Sequence, residues 1–351
     1  MHMADALLAP AVAAGMYVAS GAVAGVSVHK LRKDDEPQKL PTMAVTAALV
    51  FAGQMINYTI PGTGSSGHMC GGMLLSALLG PQAGFLSMIV ILAIQCFFFA
   101  DGGVLALGAN VWNMAFYGCF VGYYLIWRPI MRSKLFGEGK GGQRGRIILA
   151  SILGCVITLQ LGALSVVLET SLSGITELPF GAFVALMQPI HLAIGLIEGL
   201  ITSAVLVFVF ESRPELLRDV NAEPGAAKRS LKATIAVLAA AAVVVGGGLS
   251  LLASSNPDGL EWALFGNEEA QVENMALDEE NFGKSDAAHD KAGAIQEKTS
   301  FLPDYAFADD ADNAAGTTVS GVVGAGLVAL VALLICFAGG FFRKKNQGKS
   351  H

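Results

Sequence analysis

Met1 and His2 together carry the donor atoms of a metal chelate. The α-amine of Met1, the amide nitrogen of His2 and the imidazole Nδ1 of His2 can close two fused chelate rings around one ion, with the three nitrogens nearly coplanar. A fourth nitrogen would complete a square plane, the geometry typical of Ni(II) or Cu(II). His68, directly after the glycine-rich loop 61–67, is the candidate for that nitrogen. An N-terminal histidine is otherwise simply an exposed residue, so the chelate needs support from the rest of the chain.

The composition is that of a polytopic membrane protein. Of the 351 residues, 54% are hydrophobic and only 14% are charged, against about 25% charged residues in soluble domains. Several apolar runs approach the length of about 20 residues that spans a bilayer. The five cysteines lie inside these runs with neither a disulfide nor a zinc spacing, so we interpret them as packing residues.

We predict an all-α fold with nine membrane helices. The third helix is short because the Gly80-Pro81 step separates it from the fourth, so it should begin below the membrane surface, with His68 at its start. The predicted helices cover residues 4–28, 42–60, 68–80, 81–100, 104–127, 146–170, 180–211, 231–253 and 317–342.

The distribution of positive charge predicts the topology. With the N-terminus outside and the C-terminus in the cytoplasm, the cytoplasmic segments hold 19 of the 22 Lys and Arg residues, as the positive-inside rule requires. These segments are 29–41, 128–146, 212–232 and the tail from Arg343. Because the first cations follow the first apolar run, we expect that helix to be retained and not cleaved as a signal peptide. Met1, His2 and His68 then share the external face.

A long acidic loop divides the chain into two predicted units. Loop 254–316 contains 15 Asp and Glu residues but only three Lys, and it lies outside in this topology. We predict a seven-helix unit over residues 1–230 and a two-helix unit over residues 231–351 that encloses this loop. A fused accessory subunit fits the pattern better than a uniform helix bundle does.

Several short motifs, in a fixed order over residues 1–212, carry a family resemblance. They are Met1-His2-Met3-Ala4-Asp5, Ser66-Gly67-His68-Met69, Leu79-Gly80-Pro81-Gln82-Ala83-Gly84-Phe85, Gln95 to Gly103, Ala106-Leu107-Gly108-Ala109-Asn110 with Asn113-Met114, and His191-Leu192-Ala193-Ile194-Gly195 with Glu198-Gly199. This set resembles the nickel/cobalt substrate-capture subunits of energy-coupling factor transporters (the NikM/CbiM family). The run Pro257-Asp258-Gly259-Leu260-Glu261 resembles the PDGLE motif of their small partner subunit, so the chain resembles a fusion of the two.

The resemblance implies a ligand set and a setting. The metal would be bound by the Met1 amine, the His2 amide and imidazole, and the His68 imidazole; it would be Ni(II), with Co(II) as the alternative, and a transported ligand rather than a cofactor. The setting would be a bacterial cytoplasmic membrane, with a transmembrane coupling subunit and two cytoplasmic ATPases as partners. Imidazole ligands predict that affinity is lost as the pH falls through about 6.5. Segment 263–315 is longer than the family pattern, which leaves its conformation open.

Three amide side chains in the predicted helices have two interpretations. Gln95, Asn110 and Asn113 lie at roughly the depth expected for His68. They could orient His68 or the N-terminal segment from behind the ligands. Equally, they could be hydrogen bonds between packed membrane helices.

His191 and Glu198 are ionisable residues within one predicted helix. They lie seven residues apart and therefore on one face of it. Such groups are usually functional or paired, so ion transfer and a structural pairing with neighbouring helices are both open. We expect them near the middle of the membrane, far from His2, and not as metal ligands.

Other functions are tested against the same residues. The chain lacks G-x-x-x-x-G-K-[ST], so it should not hydrolyse ATP itself and is not predicted to be an enzyme. An ion-driven secondary transporter, with His191 and Glu198 as a proton relay, is the first alternative. An intramembrane hydrolase using Ser65 or Ser66 with His68 is the second, but neighbours in one loop are poorly placed as nucleophile and base.

Overall fold

In the computed structural model the chain is a bundle of long helices. The structure describes residues 1–32, 39–175, 178–220, 229–275, 286–307 and 314–347. Within these ranges, five helices are long and apolar enough to cross a membrane, and two more are apolar but shorter. The predicted all-α membrane fold is confirmed, while the division into seven and two helices remains a prediction.

The helices vary widely in length, and one small hairpin accompanies them. The elements in chain order are α1 (Pro10–Leu31), α2 (Lys39–Gln54), β1 (Tyr58–Ile60), β2 (Ser65–Gly67), α3 (Gly72–Leu79), α4 (Pro81–Phe99), α5 (Leu107–Asn110), a π-helix (Val111–Trp127), α6 (Arg128–Arg132), α7 (Gly139–Ser173), α8 (Phe180–Ser212), α9 (Leu231–Gly247), α10 (Gly259–Phe265), α11 (Ala287–Thr299) and α12 (Ala314–Gln347). Each of the nine predicted apolar segments contains a helix, but several boundaries differ.

The first nine residues do not form the start of a membrane helix. The sequence predicted a start at residue 4, whereas α1 begins at Pro10, which suits the first helical position because no donor is needed there. Residues 1–9 are extended apart from one 3-10 turn at Asp5–Leu7. Because Leu7 and Leu8 are buried, this N-terminal segment lies inside the fold instead of projecting from it.

A hairpin replaces the adjoining ends of two predicted helices. The predicted helix 42–60 ends early because β1 and β2 pair in antiparallel register. The predicted helix 68–80 starts only at Gly72, so His68 does not open it but lies in the non-helical stretch between β2 and α3. All eight residues of α3 are buried, as a half-helix that begins below the surface requires.

The predicted helix 104–127 is longer than expected and changes its winding. α5, the π-helix and α6 are continuous, and the amide of Arg128 bonds to the carbonyl of Tyr123, five residues back. The wider turns begin directly after Asn110, and Asn113 lies in the first of them. Both amide side chains thus sit where the helix changes from α to π winding, which is a common location for functional groups.

Two glycines allow α3 to cross the π-helix at very short range. A Cβ on Gly118 would lie 2.9 Å from the Cα of Gly72 and 3.2 Å from the nitrogen of Met73. Because these are backbone atoms, any larger residue would force the two helices apart. The crossing fixes α3 and, through it, the stretch that carries His68.

The C-terminal helices also cross at short range through glycine. α9 and α12 pack against each other and against α2. A Cβ on Gly321 would overlap the carbonyl of Gly246, so the two helices also meet through glycine. The predicted second unit therefore packs on a helix of the first unit.

Replacing Gly118 by valine should destabilise the protein. The added atoms would press on the backbone of α3, and overpacking of this kind costs about 1–3 kcal/mol. We expect a lower Tm in detergent and less folded protein on size exclusion. Gly15→Val is the matched control, since nothing lies within 4 Å of a Cβ at that position. Equal Tm values for the two variants would contradict the tight crossing.

Candidate metal site

The N-terminal segment is held through its backbone. The amide of Met3 donates to Asn110 Oδ1 at 2.8 Å, and Asn110 Nδ2 donates back to the Met3 carbonyl at 3.1 Å. The amide of Gly103 donates to the same carbonyl at 2.9 Å. Asn113 Nδ2 lies 2.8 Å from Glu169 Oε2 and 3.6 Å from the Met3 sulfur. These contacts fix the first residues of the chain inside the bundle.

The imidazole of His68 faces the α-amine of Met1. Its Nδ1 lies 3.1 Å from the Met69 carbonyl, which can only accept, so Nδ1 carries the proton and Nε2 the lone pair. Nε2 lies 3.3 Å from the Met1 nitrogen. The rings of His2 and His68 stack, with centroids 5.1 Å apart and planes 21° apart. The structure thus brings together all three residues that the sequence predicted as ligands.

A chain of amide side chains orients His2. The Cys70 carbonyl accepts from Gln54 Nε2 at 2.7 Å, and Gln54 Oε1 accepts from Gln95 Nε2 at 2.8 Å. Gln95 Oε1 then lies 3.2 Å from His2 Nε2, which must be the donor. His2 Nδ1, the nitrogen that the chelate needs, lies 3.1 Å from Asp101 Oδ1. Gln54 and Asp101 were not predicted as site residues, because their positions in the sequence give no sign of these hydrogen bonds.

The carboxylate of Asp258 pairs with the buried α-ammonium of Met1 through Oδ2. Its Oδ1 accepts from the amides of Leu260 at 2.8 Å and Glu261 at 3.0 Å, and Glu261 completes a capping box at the start of α10. The D-x-x-E spacing was the available signal for α10. Nothing in it indicates a partner 257 positions earlier in the chain, so sequence reasoning missed Asp258 as a residue of the site.

The segment before α10 docks on the loop that precedes His68. The amide of Ser66 donates to the Pro257 carbonyl at 2.8 Å, and the Ser66 hydroxyl donates to the Asn256 carbonyl at 2.7 Å. The Ser65 hydroxyl likewise donates to main-chain carbonyls. Because both hydroxyls are used in this way and neither is hydrogen-bonded to His68, these contacts give no support to a hydrolase.

Burial and two carboxylates set the ionisation of the site. Desolvation lowers the pKa of His68 to about 3, so this ring is neutral at neutral pH. Desolvation also lowers the pKa of His2, while Asp101 acts in the opposite direction. At the Met1 amine, burial favours deprotonation, but Asp258 outweighs it and the pKa is raised. A metal that binds here must therefore displace a firmly held proton from the amine.

An acidic cleft leads from the surface to His2. It encloses about 810 Å³, and among the described residues no Lys or Arg lines it. Its titratable lining residues are His2, Asp5, Asp101, Asp258, Glu261, His289, Asp290, Glu297 and Asp304. A cleft lined by one sign of charge raises the local concentration of ions of the opposite sign, so this cleft attracts cations.

Helix α11 forms one wall of the acidic cleft and is tied to the N-terminal segment. His289 Nε2 lies 3.1 Å from the carbonyls of both Asp5 and Leu8. Gln296 Nε2 donates to the Gly102 carbonyl at 2.7 Å. The segment whose conformation the sequence left open is thus, in its described parts, a docked structure built around α10 and α11.

Side chains alone do not make a metal site here. Within the described ranges, no group of three or more His, Cys, Asp or Glu residues is arranged to hold an ion. Main-chain nitrogens are, however, close to His68. The Met1 amine lies beside it, and the His2 amide belongs to the next residue of the same segment.

Comparison with known proteins decides the family. Residues 2–216 match the cobalt uptake substrate-specific transmembrane region, CbiM, and residues 232–339 match the PDGLE domain. The chain belongs to the CbiM family. It is 36% identical to the putative fused nickel transport protein NikMN of Archaeoglobus fulgidus, over 93% of this chain and 95% of that protein. It is 32% identical to the fused nickel transport protein NikMN of Rhodobacter capsulatus, over 77% and 76%.

Two further proteins match about two thirds of this chain or slightly less. The cobalt transport protein CbiM of Sorangium cellulosum is 30% identical over 64% of this chain and all of its own length. A crystal structure of a truncated transition metal transporter superposes with a TM-score of 0.52 at 32% identity, covering 60% of this chain and 99% of that one. The family resemblance is confirmed: the chain is a multi-pass membrane component of nickel or cobalt transport, of the fused type.

One prediction about α8 of this CbiM-family chain was wrong. His191 and Glu198 are not far from the N-terminal site, because α8 passes directly behind the stretch that carries His68. Glu198 accepts from the amides of Cys70 at 2.8 Å and Gly71 at 2.9 Å, so it anchors that stretch. His191 borders the same small cavity as His68.

Nickel affinity should keep rising with pH above 6.5, where free imidazole ligands would already be deprotonated. The raised pKa of the Met1 amine keeps a proton on a nitrogen that the sequence predicts as a ligand, and each displaced proton changes the affinity about tenfold per pH unit. Competitive titration of the purified chain against a chelator of known affinity, at several pH values from about 6 to about 9, measures this slope.

Asp258→Asn removes the carboxylate that raises this pKa. The amine then loses its proton at lower pH, so the slope above neutral pH should decrease. Asp304→Asn, on the wall of the acidic cleft, is the matched control and should keep the wild-type slope. One common slope for the three proteins would contradict the effect of Asp258 on the amine.

Proposed function

We propose that this chain is the metal-capture component of an energy-coupling factor importer, binding Ni(II), or alternatively Co(II), on the outer face of the membrane. The observation that carries the proposal is the distance of 3.3 Å between the Met1 nitrogen and His68 Nε2, with His2 stacked on His68. Two nitrogens bound side by side to one ion at about 2 Å lie roughly 3 Å apart. The amine and the imidazole therefore need to move very little to share an ion.

The proposed ligands are the Met1 amine, the amide and Nδ1 of His2, and Nε2 of His68. Three of them belong to two consecutive residues, so the chain itself imposes their plane. A plane of four nitrogens favours Ni(II) over ions that prefer tetrahedral or octahedral sites. The fused relatives at 36% and 32% identity are named as nickel transport proteins, which supports nickel as the transported ion.

The amide side chains are proposed to position these ligands. Gln95 holds His2 Nε2 and so leaves Nδ1 for the metal. Asn110 binds both main-chain groups of Met3, which fixes the backbone next to the His2 amide. Asn113 contacts the same segment more weakly, through the Met3 sulfur. For Gln95 and Asn110 these contacts favour orientation of the N-terminal segment, whereas the bond of Asn113 to Glu169 joins two helices.

Loading is proposed to exchange protons for the metal. The ion reaches His2 through the acidic cleft, whose carboxylates attract it. Binding takes the proton from the Met1 amine, which ends its ion pair with Asp258, and takes His2 Nδ1 away from Asp101. The PDGLE unit thus contributes Asp258, which holds the Met1 ammonium in place before the metal binds.

Energy for uptake is proposed to come from other subunits. Residues 1–230 form the capture unit and residues 231–351 the PDGLE unit, with the N-terminus outside and the C-terminus in the cytoplasm of a bacterial inner membrane. A transmembrane coupling subunit and two cytoplasmic ATPases then drive reorientation of the loaded unit. A proton relay through Glu198 is disfavoured, because main-chain amides hold both of its oxygens.

Extending the chain by one residue before Met1 should abolish tight nickel binding. The extension turns the α-amine into an amide and removes one of the four donors, so we expect the Kd to rise by at least about a hundredfold. His68→Ala removes the fourth donor and should also raise the Kd. A one-residue C-terminal extension and His29→Ala are the matched controls. Wild-type nickel affinity in the N-terminally extended protein would overturn the proposed site.

Uptake of radioactive nickel into cells distinguishes the proposed importer from an ion-driven transporter. We expect accumulation only when the coupling subunit and both ATPases are produced with this chain, because the chain has no ATP-binding motif of its own. An inactive ATPase variant is the control for assembly. Accumulation by this chain alone in energised vesicles would favour secondary transport.

A further inference from the structure

His191 is a buried histidine with one unused nitrogen. The residue is 1% exposed. Its Nδ1 donates to the Met187 carbonyl at 2.8 Å, as an acceptor-only partner requires, so in the neutral ring Nε2 carries the lone pair. Among the described residues Nε2 has no hydrogen-bond partner. A buried polar atom without a partner is unfavourable and needs an explanation.

This nitrogen belongs to a ring that borders the proposed capture site. His191 lines a cavity of about 10 Å³ together with Met1, His68 and Asp258, which is about the room that one water molecule or one small ion needs. The ring also sets a limit on α10: a Cβ on Gly259 would lie only 3.1 Å from His191 Cε1. The glycine of the PDGLE motif therefore leaves this edge of the imidazole free.

The position of His191 relative to His68 is fixed. Both residues are tied to α8, since His191 belongs to that helix and Glu198, two turns further on, holds the amides that follow His68. Both oxygens of Glu198 accept main-chain amides. Of the two α8 residues that line the cavity, His191 and Ile194, His191 is the one with a donor atom.

An ion leaves a planar four-nitrogen site faster when such a donor is at hand. A deprotonated amide between two chelate rings holds Ni(II) strongly and releases it slowly. Ligands at a square-planar Ni(II) centre exchange by addition of an entering ligand to an open face of the plane, followed by loss of one of the original ligands. A neutral imidazole nitrogen beside the plane is suited to this role.

We propose that His191 Nε2 is the entering ligand that transfers the ion out of the capture plane, an inference that rests on the proposed function. A coordinate bond forms between Nε2 and Ni(II), and the bond to the Met1 amine breaks. The metal stays in the +2 state. As the ion leaves the plane, the amine and then the His2 amide each take up a proton from water, which leaves hydroxide in the solvent, and the amine pairs again with Asp258. The reverse sequence operates during loading.

The rates of metal exchange test this role. The purified full-length chain is loaded with radioactive nickel and diluted into excess chelator to measure koff, and kon follows from mixing with nickel. A ligand that acts only in the exchange step alters both rates equally. For His191→Gln and His191→Ala we therefore expect kon and koff each to fall at least about tenfold, with the Kd changed by less than about threefold.

The controls separate this role from packing and from the proposed function itself. His29→Gln removes an exposed histidine distant from the site and should leave both rates unchanged. A raised Kd with an unchanged or faster koff in both His191 variants would assign the residue to packing and overturn the inference. Unchanged rates would overturn it as well. Failure of the wild-type chain to bind nickel or cobalt would instead overturn the proposed function.

Discussion

The buried ion pair between the Met1 ammonium and Asp258 is the contact on which the site geometry depends. A charge removed from water is unfavourable unless it is paired and hydrogen-bonded. Asp258 meets this requirement with one oxygen on the ammonium and the other on the first amides of α10. Docking of α10 therefore stabilises the buried ammonium group of the first residue. The N-terminus and the PDGLE segment, distant in sequence, form one structural unit.

The same reasoning explains the amide side chains of the membrane helices. An extended segment inside a protein has main-chain donors and acceptors that no helix satisfies, and each needs a partner. Asn110 supplies a donor and an acceptor to one residue, as a neighbouring β-strand would. Gln95 and Gln54 form a series of hydrogen bonds that connects His2 with the Cys70 carbonyl. The position of the N-terminal segment thus follows from hydrogen bonding as much as from apolar packing.

Local patterns predicted most of the fold but not the contacts that complete the site. Each of the nine predicted apolar runs contains a helix, because the length of a membrane span leaves few alternatives. The early start of the predicted first helix was wrong, since residues 4–9 are as apolar as a helix but bind to other parts of the chain. The sequence does not predict β1 and β2, because a three-residue strand has no periodicity to detect.

The donors Met1, His2 and His68 could be predicted because their chemistry is local: two lie in one dipeptide, and the third follows a glycine-rich loop. Asp258, Asp101 and His191 could not be assigned to the site in this way. Their role depends on which helices become neighbours, and no pattern within a few residues contains that information. The sequence predicts His191 far from the site, because it indicates depth along a helix but not how deeply the N-terminal segment reaches into the bundle.

Charge balance explains how a buried site of this kind could load a divalent ion. In the proposed function His2 is neutral before loading, as the lowered pKa of its imidazole indicates, and the ion displaces one proton from the Met1 amine and one from the His2 amide. The two positive charges that arrive equal the two protons that leave, so the net charge of the buried site does not change. Asp258 and Asp101 face the same total charge before and after loading. The low-dielectric interior, which strongly opposes an added charge, therefore does not oppose this exchange, and the main-chain amide is the donor that makes the balance possible.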